Sequence, residues 1–194
     1  LSSTDRISVG AESPLTRGVK ESNAGGRTGL HMAMMGMHAL IIEDQPVEEG
    51  YWVLYLSLNG AKWEKADDPS NFSGQSLAGL GVYETAPKLL QKYGDKVAIS
   101  LIGPGGEMQL KSAGIQNIDK DRVPSRINAR GGLGAVMGSK GLKAIVFDHA
   151  GGQKPPIVNP EAFRVAQKDY TKSVMEHPQS VTYRDYGTAA MTQL

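Results

Sequence analysis

The residues best suited to chemistry lie in a glycine-rich stretch, residues 126–148, which is RINARGGLGAVMGSKGLKAIVFD. Arg126 and Arg130 stand at its start, and a run of apolar residues follows its glycines. A glycine loop in front of a helix exposes backbone N–H groups, and the helix dipole adds about half a positive charge at that end. Guanidinium groups bind phosphate through paired hydrogen bonds. The stretch therefore predicts a site for an anion, most naturally a phosphate group.

A second copy of this pattern lies 105 residues earlier in the chain. Without a gap, residues 23–43 align with residues 128–148, and seven of these 21 positions are identical. The identical pairs are Asn23/Asn128, Ala24/Ala129, Gly26/Gly131, Gly29/Gly134, Met32/Met137, Gly36/Gly141 and Ala39/Ala144. In front of the two copies, Arg6 aligns with Lys111. Two such loops indicate two anionic groups related by a pseudo-twofold axis, either two phosphates or two copies of one cofactor.

The loops do not match the common nucleotide-binding patterns. The segment GLGAVMG (residues 132–138) differs by one residue from the dinucleotide fingerprint, and GAVMGSK (residues 134–140) lacks the spacing of the NTPase phosphate loop. From these residues alone, a phosphate- or nucleotide-binding protein without redox chemistry stays open beside a cofactor enzyme.

Short strands and helices are predicted to position the two loops. Helices are predicted at residues 27–37 and 132–140, directly after the glycine loops. The dipeptide Asn59–Gly60 predicts the turn of a hairpin across residues 51–66. Further strands are predicted at residues 6–11, 38–44, 96–103, 107–116 and 143–148. This mixture of elements indicates an α+β fold.

A further helix is predicted from apolar residues that recur on one helical face, with Gly94 as its stop signal. These residues are Val82, Ala86, Leu89, Leu90 and Tyr93. After a linker at residues 151–156, Asn159 is suited to cap a helix with Pro160 at its first position. We therefore predict two domains, residues 1–157 with both loops and residues 158–194 as the start of a helical domain.

Composition limits the classes of protein and partner. The chain has 194 residues, a net charge of +1 and no cysteine. The small charge gives no general attraction to nucleic acid, and without thiolates the chain cannot itself hold an iron–sulfur cluster. No segment approaches the roughly 20 apolar residues of a membrane span. We expect neither a nucleic-acid nor a membrane partner, and a cytoplasmic location. Because the chain begins with Leu1, we interpret it as part of a longer protein.

Five segments carry a resemblance to a known family. They are SPLT (residues 13–16), SNAGG (22–26), IGPGGE (102–107), ARGGLGAVMGSKGLKAIV (129–146) and YGT (186–188). Together they closely resemble the N-terminal part of the aldehyde:ferredoxin oxidoreductase family, which are tungsten or molybdenum bis-pterin enzymes. The resemblance implies a domain of two pseudo-twofold-related β-sheet halves. Two pterin-dithiolene molecules would lie on this domain, with their phosphates joined through a magnesium ion.

The resemblance assigns cofactor contacts to residues of both loops. Arg6 matches an arginine that contacts the pterin. Asn23, Gly25 and Gly26 match the loop at the first phosphate. The positions that match the loop at the second phosphate are Arg126, Ile127, Ala129, Arg130 and Gly131. The backbone carbonyls of Asn23 and Ile127 match those that bind magnesium.

The chain departs from the family pattern at two places. Ala129 stands where the family usually has glycine. Its methyl group bears on how closely the backbone can approach a ligand there. Thr4 and Asp5 replace a glycine pair, so that a carboxylate precedes Arg6. No residue of this chain matches a catalytic acid or base of the family.

For the whole protein, the resemblance implies the two-electron oxidation of an aldehyde to a carboxylic acid at tungsten or molybdenum. Electrons would leave through a 4Fe-4S cluster, whose ligands lie in later domains, to ferredoxin or a similar carrier. A homodimer is compatible with this assignment. The alternatives are a family relative that acts on another carbonyl or thioester substrate, and a truncated chain that binds no cofactor.

Overall fold

The computed structural model describes residues 6–193, so that the departure at Thr4 and Asp5 lies outside the described residues. The described chain divides into two compact units, residues 6–155 and residues 156–193. The smaller unit contains helices α5 (Pro160–Glu176) and α6 (Pro178–Tyr186) and a 3-10 helix, Gly187–Gln193. Asn159 caps α5 as predicted, because its Oδ1 accepts a hydrogen bond of 3.0 Å from the Ala162 amide. No helix of residues 6–193 is both long and apolar enough to cross a membrane.

The larger unit begins with a two-stranded antiparallel sheet and a short helix. Strands β1 (Ile7–Glu12) and β2 (Val19–Ala24) pair with Ile7 opposite Ala24. Helix α1 (Thr28–Met34) follows the first glycine loop. The buried Ser13 hydroxyl accepts hydrogen bonds from the amides of Leu15 and Thr16, which holds the tight turn between the strands.

A six-stranded mixed sheet forms the centre of this unit. Its strands are β3 (Trp52–Ser57), β4 (Gly60–Lys65), β5 (Ala98–Leu101), β6 (Ile115–Asn117), β7 (Arg126–Asn128) and β8 (Leu142–Phe147). Their order across the sheet is β4-β3-β8-β5-β6-β7, and only the β3–β8 pair is parallel. A 3-10 helix (Pro69–Asn71), α2 (Val82–Tyr93), α3 (Pro104–Glu107) and α4 (Leu133–Ser139) connect the strands.

Apolar side chains cover both faces of the six-stranded sheet. On one face, Ala144 and Val146 of β8 pack with Leu89 of α2. On the other face, Ile145 and Phe147 join a cluster that includes residues of α1 and α4. This alternation follows from the two-residue period of a strand. All six residues of β8 are buried, so β8 is the central element on which the other layers rest.

The predicted repeat is present in the fold. The hairpin β1–β2 and helix α1 correspond to the hairpin β6–β7 and helix α4. With the shift of 105 residues, α1 (Thr28–Met34) aligns residue for residue with α4 (Leu133–Ser139). The hairpin of β3 and β4 and helix α2 also form as predicted. The α+β fold class is therefore confirmed.

Two predicted strands are wrong, and the hairpin turn is shifted. Residues 38–44 form no strand, although their repeat counterpart is β8; Ile41 is 80% exposed, and no strand of the described chain pairs with this segment. Of the strand predicted at residues 107–116, only residues 115 and 116 lie in a strand, β6, and residue 107 ends helix α3, which begins at Pro104. The hairpin turn consists of Leu58 and Asn59, one residue earlier than predicted.

His31 of α1 is an ionisable side chain in the core. It is fully buried, and its Nδ1–H donates to the Phe147 carbonyl at 3.2 Å. The His149 ring lies 4.1 Å away between centroids. Burial is the main cause that lowers the pKa of His31 to about 4. The Phe147 carbonyl raises this pKa, His149 and Arg27 lower it further, and Asp148 raises it.

The buried His31 makes the stability of the fold depend on pH. The unfolded chain takes up a proton at this side chain below about pH 6.5, whereas the folded chain does so only below about pH 4. We therefore expect the free energy of unfolding to fall by about 3 kcal/mol through this group as the pH drops from 6.5 to 4. Urea unfolding of the 194-residue chain and of His31→Gln, each at pH 7 and pH 4.5, measures this loss of unfolding free energy. The variant should lose less stability, and equal losses would refute this role of His31.

Candidate cofactor-binding site

The structure brings the two glycine loops side by side. Asn128 of β7 donates a hydrogen bond of 2.6 Å from Nδ2 to the Ser22 carbonyl of β2. The Arg130 amide donates to the Ser22 hydroxyl at 3.3 Å. In the first loop, Gly25 faces the Arg126 side chain, since a Cβ built on Gly25 would lie 3.7 Å from Arg126 Cδ. Residues that the sequence assigned to two separate phosphates therefore share one surface.

Glycine is required in the second loop because the backbone there is both left-handed and crowded. Gly131 has φ +77, and a Cβ on it would lie 2.8 Å from Lys20 Cβ. Gly132 has φ +69, and a Cβ on it would lie 1.9 Å from the Lys111 carbonyl oxygen. No residue within 6–193 accepts a hydrogen bond from the amide of either glycine. Gly131 is half-buried and Gly132 is buried, so the Gly131 amide is the one that the loop can present to an anion in front of α4.

Three cationic side chains predicted for the site are exposed: Arg6, Arg126 and Arg130. Arg126 and Arg130 form no ion pair with any carboxylate in the part of the chain that the structure describes. Lys20 adds a further positive charge beside Gly131. Exposed arginines that are not engaged by carboxylates are suited to bind an incoming phosphate.

One carboxylate, Glu21, lies next to the first loop. It accepts hydrogen bonds of 2.5 Å from the Ser8 hydroxyl and 2.9 Å from Asn23 Nδ2. The bond from Ser8 and then the bond from Asn23 lower the pKa of Glu21. The Asn23 side chain is therefore engaged within its own hairpin, and the role assigned to Asn23 falls to its backbone carbonyl.

An apolar cavity of this unit lies at a different place. It measures about 600 Å³ and is lined mainly by apolar residues of β1, α1, α4 and the sheet. Of the predicted site residues, only Arg6 lines it. Arg126, Arg130 and the Gly131 amide, which suit an anion, do not line this cavity. Within residues 6–193, no three His, Cys, Asp or Glu side chains converge as metal ligands, and the magnesium assignment concerns backbone carbonyls only.

Sequence reasoning missed a buried polar network below the loops. Asn117 of β6 donates from Nδ2 to Asn128 Oδ1 at 2.8 Å and accepts at Oδ1 from the Ser100 hydroxyl at 2.6 Å. The Thr28 hydroxyl lies 3.2 Å from that of Ser100. All four residues are buried. The signal in the sequence was weak, because β6 and β7 each contain two polar residues and no local pattern shows which of them is buried.

Comparison with known proteins decides the family. A family model described as aldehyde ferredoxin oxidoreductase, N-terminal domain, matches residues 1–149. The chain belongs to this family. The tungsten-containing aldehyde ferredoxin oxidoreductase of Pyrococcus furiosus is 30% identical over 191 residues, which is 97% of this chain and 29% of the relative. The enzyme of the same name from Pyrococcus abyssi is 38% identical over 145 residues, 73% of this chain and 21% of the relative.

Two further proteins with different names are similar to this chain. The aliphatic sulfonate oxidoreductase, WOR-like subunit, of Pyrococcus furiosus is 26% identical over 95% of this chain and 29% of its own length. Among solved structures, the active-site complex BamBC of benzoyl coenzyme A reductase with 1,5-dienoyl-CoA has a TM-score of 0.75 and 25% identity. That match covers 90% of this chain and 24% of the other. The chain thus spans less than a third of these relatives.

The residues present fit the cofactor phosphates that membership of the aldehyde ferredoxin oxidoreductase family implies. The glycine cradle, the free amide of Gly131 and the exposed arginines form a donor set for anions. Ala129, which replaces the usual glycine, is exposed and does not have positive φ. Its methyl group therefore imposes no backbone strain.

Proposed function

We propose that this chain is the cofactor-binding part of a tungsten or molybdenum pterin oxidoreductase, which oxidises aldehydes to carboxylic acids and passes the electrons to ferredoxin. The observation that carries the proposal is the pair of repeated glycine loops joined by the Asn128–Ser22 hydrogen bond. Two equivalent anion sites on one surface suit a cofactor with two equivalent phosphates. Membership of the aldehyde ferredoxin oxidoreductase family supports the same assignment.

In this proposal, each loop holds one pterin phosphate. Gly25 and Gly26 form the first cradle, with Arg126 beside them, and residues 129–131 form the second. Arg6 contacts a pterin, and the carbonyls of Asn23 and Ile127 bind the magnesium ion between the phosphates. The metal of the bound cofactor supplies the two-electron redox chemistry. This chain binds and orients the cofactor, and it contributes no proton-transfer group.

The other components of the reaction lie outside this chain. It has no cysteine, so the 4Fe-4S cluster that carries electrons to ferredoxin takes its ligands from elsewhere in the protein. The chain spans 29% of the Pyrococcus furiosus relative, and we place the substrate pocket in the portion of the enzyme beyond this domain.

A second candidate is a member of the family with a different substrate. It is favoured by the relatives whose names refer to aliphatic sulfonates and to benzoyl coenzyme A. Assays of the natural full-length protein distinguish the two candidates. Under anaerobic conditions, ferredoxin reduction is measured with an aldehyde, an aliphatic sulfonate and a cyclic dienoyl-CoA thioester as electron donors. Aldehyde-dependent reduction supports the first candidate, and turnover of another substrate with no response to aldehydes replaces it by the second.

A further inference from the structure

Two buried carboxamides connect the loops. The network below the loops runs from Thr28 and Ser100 through Asn117 to Asn128. Thr28 stands at the start of α1, Ser100 on β5, Asn117 on β6 and Asn128 on β7. Asn117 and Asn128 are each fully buried. A buried polar group is costly unless it is hydrogen-bonded, so this network fixes both carboxamides in a single orientation.

Each carboxamide holds one backbone carbonyl next to the proposed site. Asn117 Nδ2 donates to the Arg126 carbonyl at 3.2 Å. Asn128 Nδ2 donates to the Ser22 carbonyl at 2.6 Å. Arg126 immediately precedes Ile127, and Ser22 immediately precedes Asn23. The two carbonyls that accept these hydrogen bonds, those of Arg126 and Ser22, therefore each belong to the residue directly before one whose carbonyl is assigned to magnesium, Ile127 or Asn23.

We propose that Asn117 and Asn128 are positioning residues that set the spacing between the Asn23 and Ile127 carbonyls. This inference rests on the proposed function. Magnesium requires nearly octahedral geometry, with ligand distances of about 2.0–2.1 Å. Two carbonyls from separate hairpins meet that requirement only if something holds the hairpins in register. The hydrogen bond from Asn128 Nδ2 to Ser22 crosses between the hairpins, and the bond from Asn117 to Asn128 Oδ1 aligns the donor.

Of the two asparagines related by the repeat, Asn23 and Asn128, only Asn128 connects the two hairpins. Asn23 is the counterpart of Asn128, but it is exposed and bonds to Glu21 within its own hairpin. Asn128 is the member of the pair that lies inside and reaches across. Neither an aliphatic side chain nor a carboxylate replaces it, because the position requires an acceptor for Asn117 and a donor to Ser22 at the same time.

The test uses Asn128→Asp in the natural full-length protein. A carboxylate keeps the shape and the acceptor for Asn117 but removes the donor to Ser22. Wild type and variant are dialysed against a chelator well below their unfolding temperatures, and magnesium and pterin per mole of protein are then measured. We expect about 10- to 100-fold weaker magnesium retention in the variant, as for other residues that orient metal ligands. Excess magnesium should restore pterin retention, and an unfolding temperature of the variant measured without magnesium shows whether it stays folded during dialysis.

Two companion variants keep the test decisive. Thr85→Val removes the hydrogen bond from another fully buried side chain, Thr85 to the Gly81 carbonyl, and should leave magnesium retention unchanged. If Asn128→Asp does not fold, Ser100→Ala decides. It removes the shorter of the two hydroxyl hydrogen bonds to Asn117 Oδ1, 2.6 Å from Ser100 against 3.4 Å from Thr28, without burying a charge, and should also weaken retention. Undiminished magnesium retention in a folded Asn128→Asp, or in Ser100→Ala where that variant decides, would overturn the proposal. Wild type without magnesium or pterin would instead refute the proposed function.

Discussion

Replacing both Arg126 and Arg130 by alanine is expected to weaken cofactor binding about 100-fold, because each charge-assisted hydrogen bond contributes about 1.5 kcal/mol or more. Both guanidinium groups are exposed at the paired loops, and neither forms an ion pair within the described residues. The folded state should therefore tolerate the change. Tungsten, molybdenum and pterin content of the natural full-length protein, together with its unfolding temperature, measures both effects.

The matched control for this double variant is Lys96→Ala. Lys96 is exposed and has no carboxylate partner among residues 6–193. Lys92, which the sequence alone suggests as a neutral lysine, is unsuitable because its ammonium group bonds to Glu64 and to the Asn71 carbonyl. Cofactor content equal to wild type in the double arginine variant would remove these residues from the phosphate site.

Gly132→Ala is expected to destabilise the larger unit by about 4 kcal/mol. A left-handed conformation costs a residue with a Cβ about 1–2 kcal/mol, and crowding in a packed site costs about 1–3 kcal/mol more. Here the added Cβ would lie 1.9 Å from the Lys111 carbonyl oxygen, so the backbone before α4 must shift. Cofactor binding should fall with stability, because the same backbone presents the loop amides.

The control variant Gly36→Ala separates the cost of the left-handed backbone from the cost of crowding. Gly36 has φ +70, almost the same as Gly132, but nothing lies within 4 Å of its added Cβ. This control should therefore lose only the conformational part, about 1–2 kcal/mol. Urea unfolding of both variants measures the difference. If Gly132→Ala is no less stable than Gly36→Ala, the contact with Lys111 does not constrain the loop.

The loops and their helices could be predicted from sequence because their physical causes are local. Positive φ at Gly131 and Gly132 favours glycine, so this conformation can be predicted from the glycine pair in the sequence. The repeat adds a second instance of the same mark, and α1 and α4 occupy equivalent positions in it. The end of α2 is local in the same way, because the helix stops directly before Gly94, the predicted stop signal.

The missed features depend on contacts between distant residues. Residues 38–44 contain an apolar run, residues 39–42, as their repeat counterpart β8 does. A strand forms only where a neighbouring strand accepts its hydrogen bonds. Of these two segments, β8 alone has such neighbours, namely β3 and β5. Asn117 and Asn128 look like ordinary strand residues, because the partner Ser22 is 106 residues from Asn128 in sequence and the partner Ser100 is 17 residues from Asn117. Local periodicity contains no information about either pairing.

The most direct test of the account is the cofactor stoichiometry of the natural full-length protein, purified from its own host. Tungsten, molybdenum and magnesium are measured by elemental analysis, and pterin by fluorescence after oxidation. The two equivalent loops predict two pterins per tungsten or molybdenum, with magnesium present. A folded protein that contains neither metal nor pterin, from cells supplied with both metals, would contradict the cofactor assignment and leave the paired loops as sites for free phosphate or a nucleotide.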